Sequence, residues 1–253
     1  MMLVVRRFDG RGIRYQRFEV KEHPGMTVLD ALFDARDNQD DSLSFRYACR
    51  GAVCGSCAMM IDRVPRLACK TQISNLLSGK AKMELVPFKS GDAIGYDHSS
   101  EVLVEPLPNL PIQKDLAVDM TEFFLKYEAM RPFLEAKASP EREYRMDKAA
   151  VKELERYTNC ILCAACYAAC PVNGQDAPYV GPAALAKLYR FRIDPRESEA
   201  QNILRIADKP EGWWDCKFHA NCARVCPKHV PPNVAIAKAR KELGASKVKE
   251  AKT

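Results

Sequence analysis

The stretch Cys160-Ile161-Leu162-Cys163-Ala164-Ala165-Cys166-Tyr167-Ala168-Ala169-Cys170-Pro171 decides the reading of this chain. Its four thiols are separated by two, two and three residues, and a proline follows the last. The same steps recur at Cys216, His219, Cys222 and Cys226-Pro227, with histidine in place of one cysteine. A third group has a different rhythm, Cys49-x4-Cys54-x2-Cys57-x11-Cys69. These are all eleven cysteines of the chain. A disulfide scaffold needs an oxidising compartment, normally serves a chain too small for its own core, and would leave one thiol of the eleven unpaired. Metal ligation fits better.

The 253 residues suggest two domains, each able to bury a core. Hydrophobic residues at 47% and charged residues at 28% exclude a disordered, fibrous or membrane-bundle chain. The uncharged stretch 157–175 is thiol-rich and broken by Pro171 and Asn173-Gly174, so it is a poor membrane span. The N-terminus has two arginines after a short apolar stretch and no secretory h-region, so no export by a standard route is expected. The net charge of +6 belongs to the tail. Residues 216–253 hold nine Lys or Arg against two Glu, which suits a solvated terminus or docking to an acidic partner or anionic lipid.

Cys49, Cys54, Cys57 and Cys69 have the spacing of a plant-type [2Fe-2S] centre, in which a tight loop delivers three thiolates and a distant segment returns the fourth. Gly51, Gly55 and Ser56 suit a loop that aims backbone amides at sulfur. Zinc also takes four thiolates, but usually from two CxxC-type pairs. The run from Cys160 to Cys170 has the bacterial-ferredoxin spacing, whose fourth cysteine ligates the other of two clusters. Crossing the fourth ligands gives Cys160, Cys163, Cys166 and Cys226 for a [4Fe-4S] centre. Cys170, Cys216 and Cys222 remain, three thiolates that suit [3Fe-4S] unless His219 adds a fourth ligand. Three centres in series make a wire. The chain has no GxGxxG, P-loop, HExxH or GxSxG, so no catalytic residue is assigned and the organic chemistry is expected in partner subunits.

Strands are expected at 2–8 and 13–20 around the turn Asp9-Gly10-Arg11-Gly12, with shorter ones at 44–47, 59–61, 66–68 and 83–86. Thr27 is expected to cap a helix carrying Val28, Leu32 and Ala35. Four prolines between Pro87 and Pro111 place the domain boundary near residue 105, dividing the chain into 1–105 and 106–253. Beyond it, Leu116, Met120, Phe123, Phe124, Tyr127 and Met130 predict an amphipathic helix, followed by helices at 147–155, 182–190 and 233–243, the last with Gly244 as C-cap.

At Arg46-Tyr47-Ala48-Cys49-Arg50-Gly51, Cys54-Gly55-Ser56-Cys57-Ala58-Met59, Leu67-Ala68-Cys69, the run from Cys160, Gly181-Pro182-Ala183-Ala184, Ile193-Asp194-Pro195-Arg196 and Cys226-Pro227-Lys228, the chain closely resembles the iron-sulfur subunits of the succinate dehydrogenase and fumarate reductase family. The resemblance implies an α+β chain: a plant-type ferredoxin-like β-grasp domain, then an all-helical bacterial-ferredoxin-like domain. It further implies [2Fe-2S], [4Fe-4S] and [3Fe-4S] centres, the last without His219. The partners would be an FAD-bearing dicarboxylate subunit and a membrane anchor with a quinone site and, in some members, haem b. The place would be the cytoplasmic face of a bacterial inner membrane, or the matrix face in mitochondria. Pro171-Val172-Asn173-Gly174-Gln175 lacks the tryptophan of many ubiquinone-using members. That segment, Pro227-Lys228-His229-Val230 and the Trp213-Trp214 pair resemble menaquinone-linked fumarate reductases. A subunit serving a soluble or thiol-linked fumarate reductase is the nearest alternative, and a structural metal-binding module is the alternative of another class.

Overall fold

In a computed structural model, which describes residues 1–88, 94–136, 141–173 and 178–250, the alternating N-terminal segments form β1 (Met2–Phe8) and β2 (Ile13–Glu19). They pair antiparallel from Met2↔Glu19 to Phe8↔Ile13, and Gly10 turns the chain between them at φ +89°, where a side chain is strained. With β3 (Ala58–Ile61), β4 (Val64–Leu67) and β5 (Glu101–Glu105) they make a sheet of order β2-β1-β5-β3-β4, in which β1 and β5 run parallel. The helix α1 (Val28–Asn38) starts at Thr27, whose hydroxyl accepts from the Asp30 N–H while the Asp30 carboxylate accepts from the Thr27 N–H. Such a reciprocal cap is worth about 1 kcal/mol. Val28, Leu29, Leu32 and Ala35 pack with Leu3, Val5, Phe18, Val102 and Val104 to form the core of this unit.

Past Glu105 the chain stays against the sheet. A hairpin of β6 (Ile112–Lys114) and β7 (Ala117–Val118) presents Asp115, which accepts from Arg7 Nε at 2.9 Å, the Phe8 N–H at 3.0 Å and the Ser44 N–H at 2.9 Å. Arg7 and Asp115 are both buried, so each stabilises the other's charge out of water.

Helices follow: α3 (Thr121–Glu128), α4 (Lys148–Thr158), α5 (Ala165–Ala168), α6 (Pro182–Arg192), α7 (Ala200–Ile206), α8 (Asn221–Arg224) and α9 (Pro232–Glu250). Asp147 caps α4 by accepting from the N–H groups of Ala149 and Ala150. The core of this half joins Leu185 and Leu188 of α6, Ile203 and Leu204 of α7, and Ile236 and Ala239 of α9 around fully buried Trp213. Trp213 is therefore packing, while neighbouring Trp214 stays exposed.

Several expected elements differ. Segments 44–47 and 83–86 run outside any ladder because side chains take their amides: Asp115 binds the Ser44 N–H and Asn221 binds the Val86 N–H. The parallel neighbour of β1 is instead β5, which the sequence reading did not anticipate; neither was α7. The helix expected from Leu116 begins at Thr121, since the Leu116 N–H is bound to Ser44 O and the Asp119 N–H to Pro111 O. Gly244 does not end α9. A Cβ there would meet nothing within 4 Å, and the residues beyond are Ala, Ser, Lys, Val and Glu, mostly helix formers that carry the turn onward to Glu250.

Candidate metal centres

The β3–β4 hairpin positions two of the N-terminal thiols. Cys57 immediately precedes β3 and Cys69 follows β4, and the Ala68 N–H donates to Cys57 O at 3.0 Å. Cys49 and Cys54 lie on the loop before them. There Arg50 (φ +54°), Ala52 (φ +57°) and Gly55 (φ +77°) turn the amides inward, a left-handed geometry unfavourable by about 1 kcal/mol or more per non-glycine residue. The amides of Gly51, Val53 and Cys54 all donate to Cys49 Sγ at 3.3 Å, and the Ala52 N–H donates to Cys69 Sγ at 3.3 Å. Such donors favour anionic sulfur. The Ser56 hydroxyl and nearby amides pull the Cys54 thiol down to about 6, whereas burial pushes Cys57 up to about 12.

The two later runs repeat one another in backbone as well as sequence. Leu162 and Ala164 (φ +53° and +60°) flank Cys163, and Phe218 and Ala220 (φ +57° and +63°) flank His219. Each second left-handed residue opens a one-turn helix, α5 or α8, that carries the next cysteine, Cys166 or Cys222. These helices pack together. The result sorts the thiols into two groups. Cys160, Cys163, Cys166 and Cys226 line one small cavity, and Cys170, Cys216 and Cys222 line another, with His219 on its wall.

The first turns of α6 and α9 lie between these cavities. Pro182 and Asn233 face the three-thiol space, while Ala183 and Pro232 face the four-thiol space. Both helices thus turn the positive ends of their dipoles toward the thiols. Burial pushes Cys163 up to about 11 and Cys222 up to about 12, and raises Cys160, Cys166 and Cys170 as well. Thiols packed this deeply ionise readily only when a cation joins them.

None of the eleven cysteines forms a disulfide. Among the described residues no three His, Cys, Asp or Glu side chains converge on a single ion. The thiols instead surround spaces, an arrangement suited to polynuclear iron–sulfur cores held from outside and unlike a compact zinc tetrahedron.

Three features escaped the sequence reading. Asn221 is buried, and its amide donates to Val86 O at 2.8 Å and Ala169 O at 2.9 Å while accepting from the Val86 N–H. Tyr179 is buried on the wall of the three-thiol cavity. Gly55 touches the four-thiol run. His23 and His98 are exposed. Of the segment compared with ubiquinone-using members, Gly174 and Gln175 lie outside the described residues.

Residues 2–125 match the model of a 2Fe-2S iron-sulfur cluster binding domain, and residues 156–230 that of a 4Fe-4S dicluster domain. The fumarate reductase iron-sulfur subunit of Haemophilus influenzae is 34% identical over 85% of this chain and 81% of its own length. The one from Escherichia coli O157:H7 is 34% identical over 89% and 84%, and the one from Mycobacterium tuberculosis 33% over 88% and 83%. A chain of the Mycobacterium smegmatis Sdh1 complex in the apo form superposes with a TM-score of 0.79 over 98% of this chain and 96% of that one, at 23% identity. That likeness is one of fold.

Proposed function

The chain belongs to the iron-sulfur subunits of the fumarate reductase and succinate dehydrogenase family, and from that premise we propose that it conducts single electrons between the FAD of a dicarboxylate-binding partner and a quinone or haem b in a membrane anchor. Cys49, Cys54, Cys57 and Cys69 would hold [2Fe-2S]; Cys160, Cys163, Cys166 and Cys226 [4Fe-4S]; Cys170, Cys216 and Cys222 [3Fe-4S]. When bound, these clusters supply one-electron centres. The protein's part is to hold the thiolates, keep water from the two inner sites and set the spacing.

The observation that carries the reading is continuity. The N-terminal loop touches the four-thiol run at Gly55, the four-thiol and three-thiol groups share α6 and α9 as walls, and α5 and α8, which carry Cys166 and Cys222, pack against each other. Menaquinone is the favoured quinone, on the resemblance at Pro227-Lys228-His229-Val230. Among the described residues no helix is long and apolar enough to cross a membrane, so attachment would be peripheral, through the anchor, at the cytoplasmic face of a bacterial inner membrane.

Purification of the native complex tests this. The expected finding is about nine iron and ten acid-labile sulfide per chain, with a flavoprotein and an anchor. Zinc without sulfide would point to a structural module, and a flavoprotein with no anchor to a soluble relative. Cys226→Ala tests the crossing: the four-iron spectrum should be lost although the rest of its run is untouched. Retention of that spectrum would refute the crossed sets.

A further inference from the structure

The Tyr179 side chain lies on the wall of the three-thiol cavity, with Cys170, Cys216 and Cys222. It is 1% exposed, and its hydroxyl is sealed from solvent without a well-formed protein partner among the described residues. A buried phenol in that position forgoes a hydrogen bond worth about 1–3 kcal/mol unless something in the site accepts it. The side chain beside it is Cys216, which can accept as a thiolate.

The backbone fixes this aim. The Val180 N–H donates to Glu211 O at 2.9 Å, one residue beyond Tyr179. Gly181 follows at φ +99°, pressed against Tyr167 so closely that a Cβ would lie 2.8 Å from its Cδ2. Cys216 is held from its other side: Arg240 donates to Trp213 O at 2.7 Å and to Cys216 O at 2.9 Å. The Cys216 sulfur otherwise receives a long backbone contact, 3.4 Å from the Phe218 N–H. Tyr179 and Cys216 thus line the same cavity on two independently anchored segments.

We propose that Tyr179 is a positioning residue of the electron path, its hydroxyl donating to Cys216 Sγ and raising the reduction potential of the centre held by Cys170, Cys216 and Cys222. The inference rests on the three-iron assignment above. A donor to sulfur stabilises the more negative, reduced centre more than the oxidised one, so its removal disfavours electron uptake. The phenol keeps its proton throughout, and one electron enters and leaves the cluster.

The test is Tyr179→Phe in the intact complex, with the potential of the oxidised three-iron EPR signal followed by redox titration. The variant should keep the signal, and its reduction equilibrium should fall by about tenfold, which is about 59 mV for one electron. The two other centres should titrate as in the wild type. Tyr157→Phe removes another buried, unpartnered hydroxyl, whose surroundings are Glu153 and Arg156 rather than thiols, and should leave the potential in place. An unchanged potential in Tyr179→Phe, or an equal fall in Tyr157→Phe, overturns the proposal. A wild-type complex with no three-iron signal overturns the functional reading itself, and that is seen before any variant is compared.

Discussion

Gly55 lies directly against Cys163: a Cβ built on Gly55 would stand 2.8 Å from Cys163 Cβ and 2.9 Å from Ile161 O. The residue sits between Cys54 and Cys57, so this contact joins the N-terminal thiol loop to the four-thiol run. Its φ of +77° removes any relaxed pose for a side chain. Gly55→Ala must therefore part the two loops or unwind one of them. The expected loss is about 1–3 kcal/mol of stability, with a weakened magnetic interaction between the reduced centres. Thermal unfolding and EPR of the reduced complex check this, and wild-type behaviour in both would show that the loops are not in contact.

Asn221 works on a second junction. Its side chain reads both the N–H and the C=O of Val86, 135 residues away, and also binds Ala169 O beside Cys170. Asn221→Ala leaves these groups buried without partners, a loss of roughly 2–4 kcal/mol from two or more unsatisfied groups. The segment around residues 84–88 should then be cut faster in limited proteolysis. Asn221→Asp keeps the acceptor for the Val86 N–H but loses the donor, so it should fall between wild type and Ala. Equal cutting rates in all three proteins would remove Asn221 from this role.

The cysteine spacing made the two-part architecture legible, because each run of thiols at fixed local steps belongs to one kind of ferredoxin-like domain. Thr27 was legible as a cap for a similar reason: a side chain bonding three residues ahead leaves a local trace. Asn221, Tyr179 and the parallel strand β5 were not. Each acts on residues distant in sequence, and an Asn before a cysteine or a Tyr before Val-Gly-Pro carries no spacing signal. The shortfall at 44–47 and 83–86 has the same origin: their pattern suits a strand, but Asp115 and Asn221 take the amides a ladder would need.

The thiols differ enough in environment to be told apart chemically once the clusters are stripped. Cys54 is exposed and lowered to about 6, first by the Ser56 hydroxyl and then by backbone amides. A lowered value means the thiolate forms as pH rises through about 6, so Cys54 should be alkylated rapidly at pH 7. Cys57 and Cys222, raised to about 12 by burial, should react slowly there. In Ser56→Ala the midpoint of Cys54 alkylation should move upward, toward the ordinary thiol range. Mass spectrometry of alkylated peptides over pH 5–9 measures this, and an unmoved midpoint would rule out the hydroxyl as the cause.

His219 occupies the backbone position in the third run that Cys163 occupies in the second. Each sits between two left-handed residues, Phe218 and Ala220 in one case and Leu162 and Ala164 in the other, three residues before the cysteine on the next short helix. The side chain at this position therefore leaves the backbone toward its cavity, and His219 is on the wall of the three-thiol space. His219→Cys should supply the missing thiolate. The oxidised protein should then lose the near-isotropic three-iron EPR signal, gain a four-iron signal on reduction, and bind one more iron per chain. His219→Ala should keep the three-iron signal, because on this reading the imidazole is not a ligand. A His219→Cys protein that keeps the three-iron signal would show that the repeat does not bring the new sulfur within reach. A wild-type protein that is diamagnetic at this centre when oxidised, with iron–nitrogen coupling on reduction, would instead establish His219 as the fourth ligand.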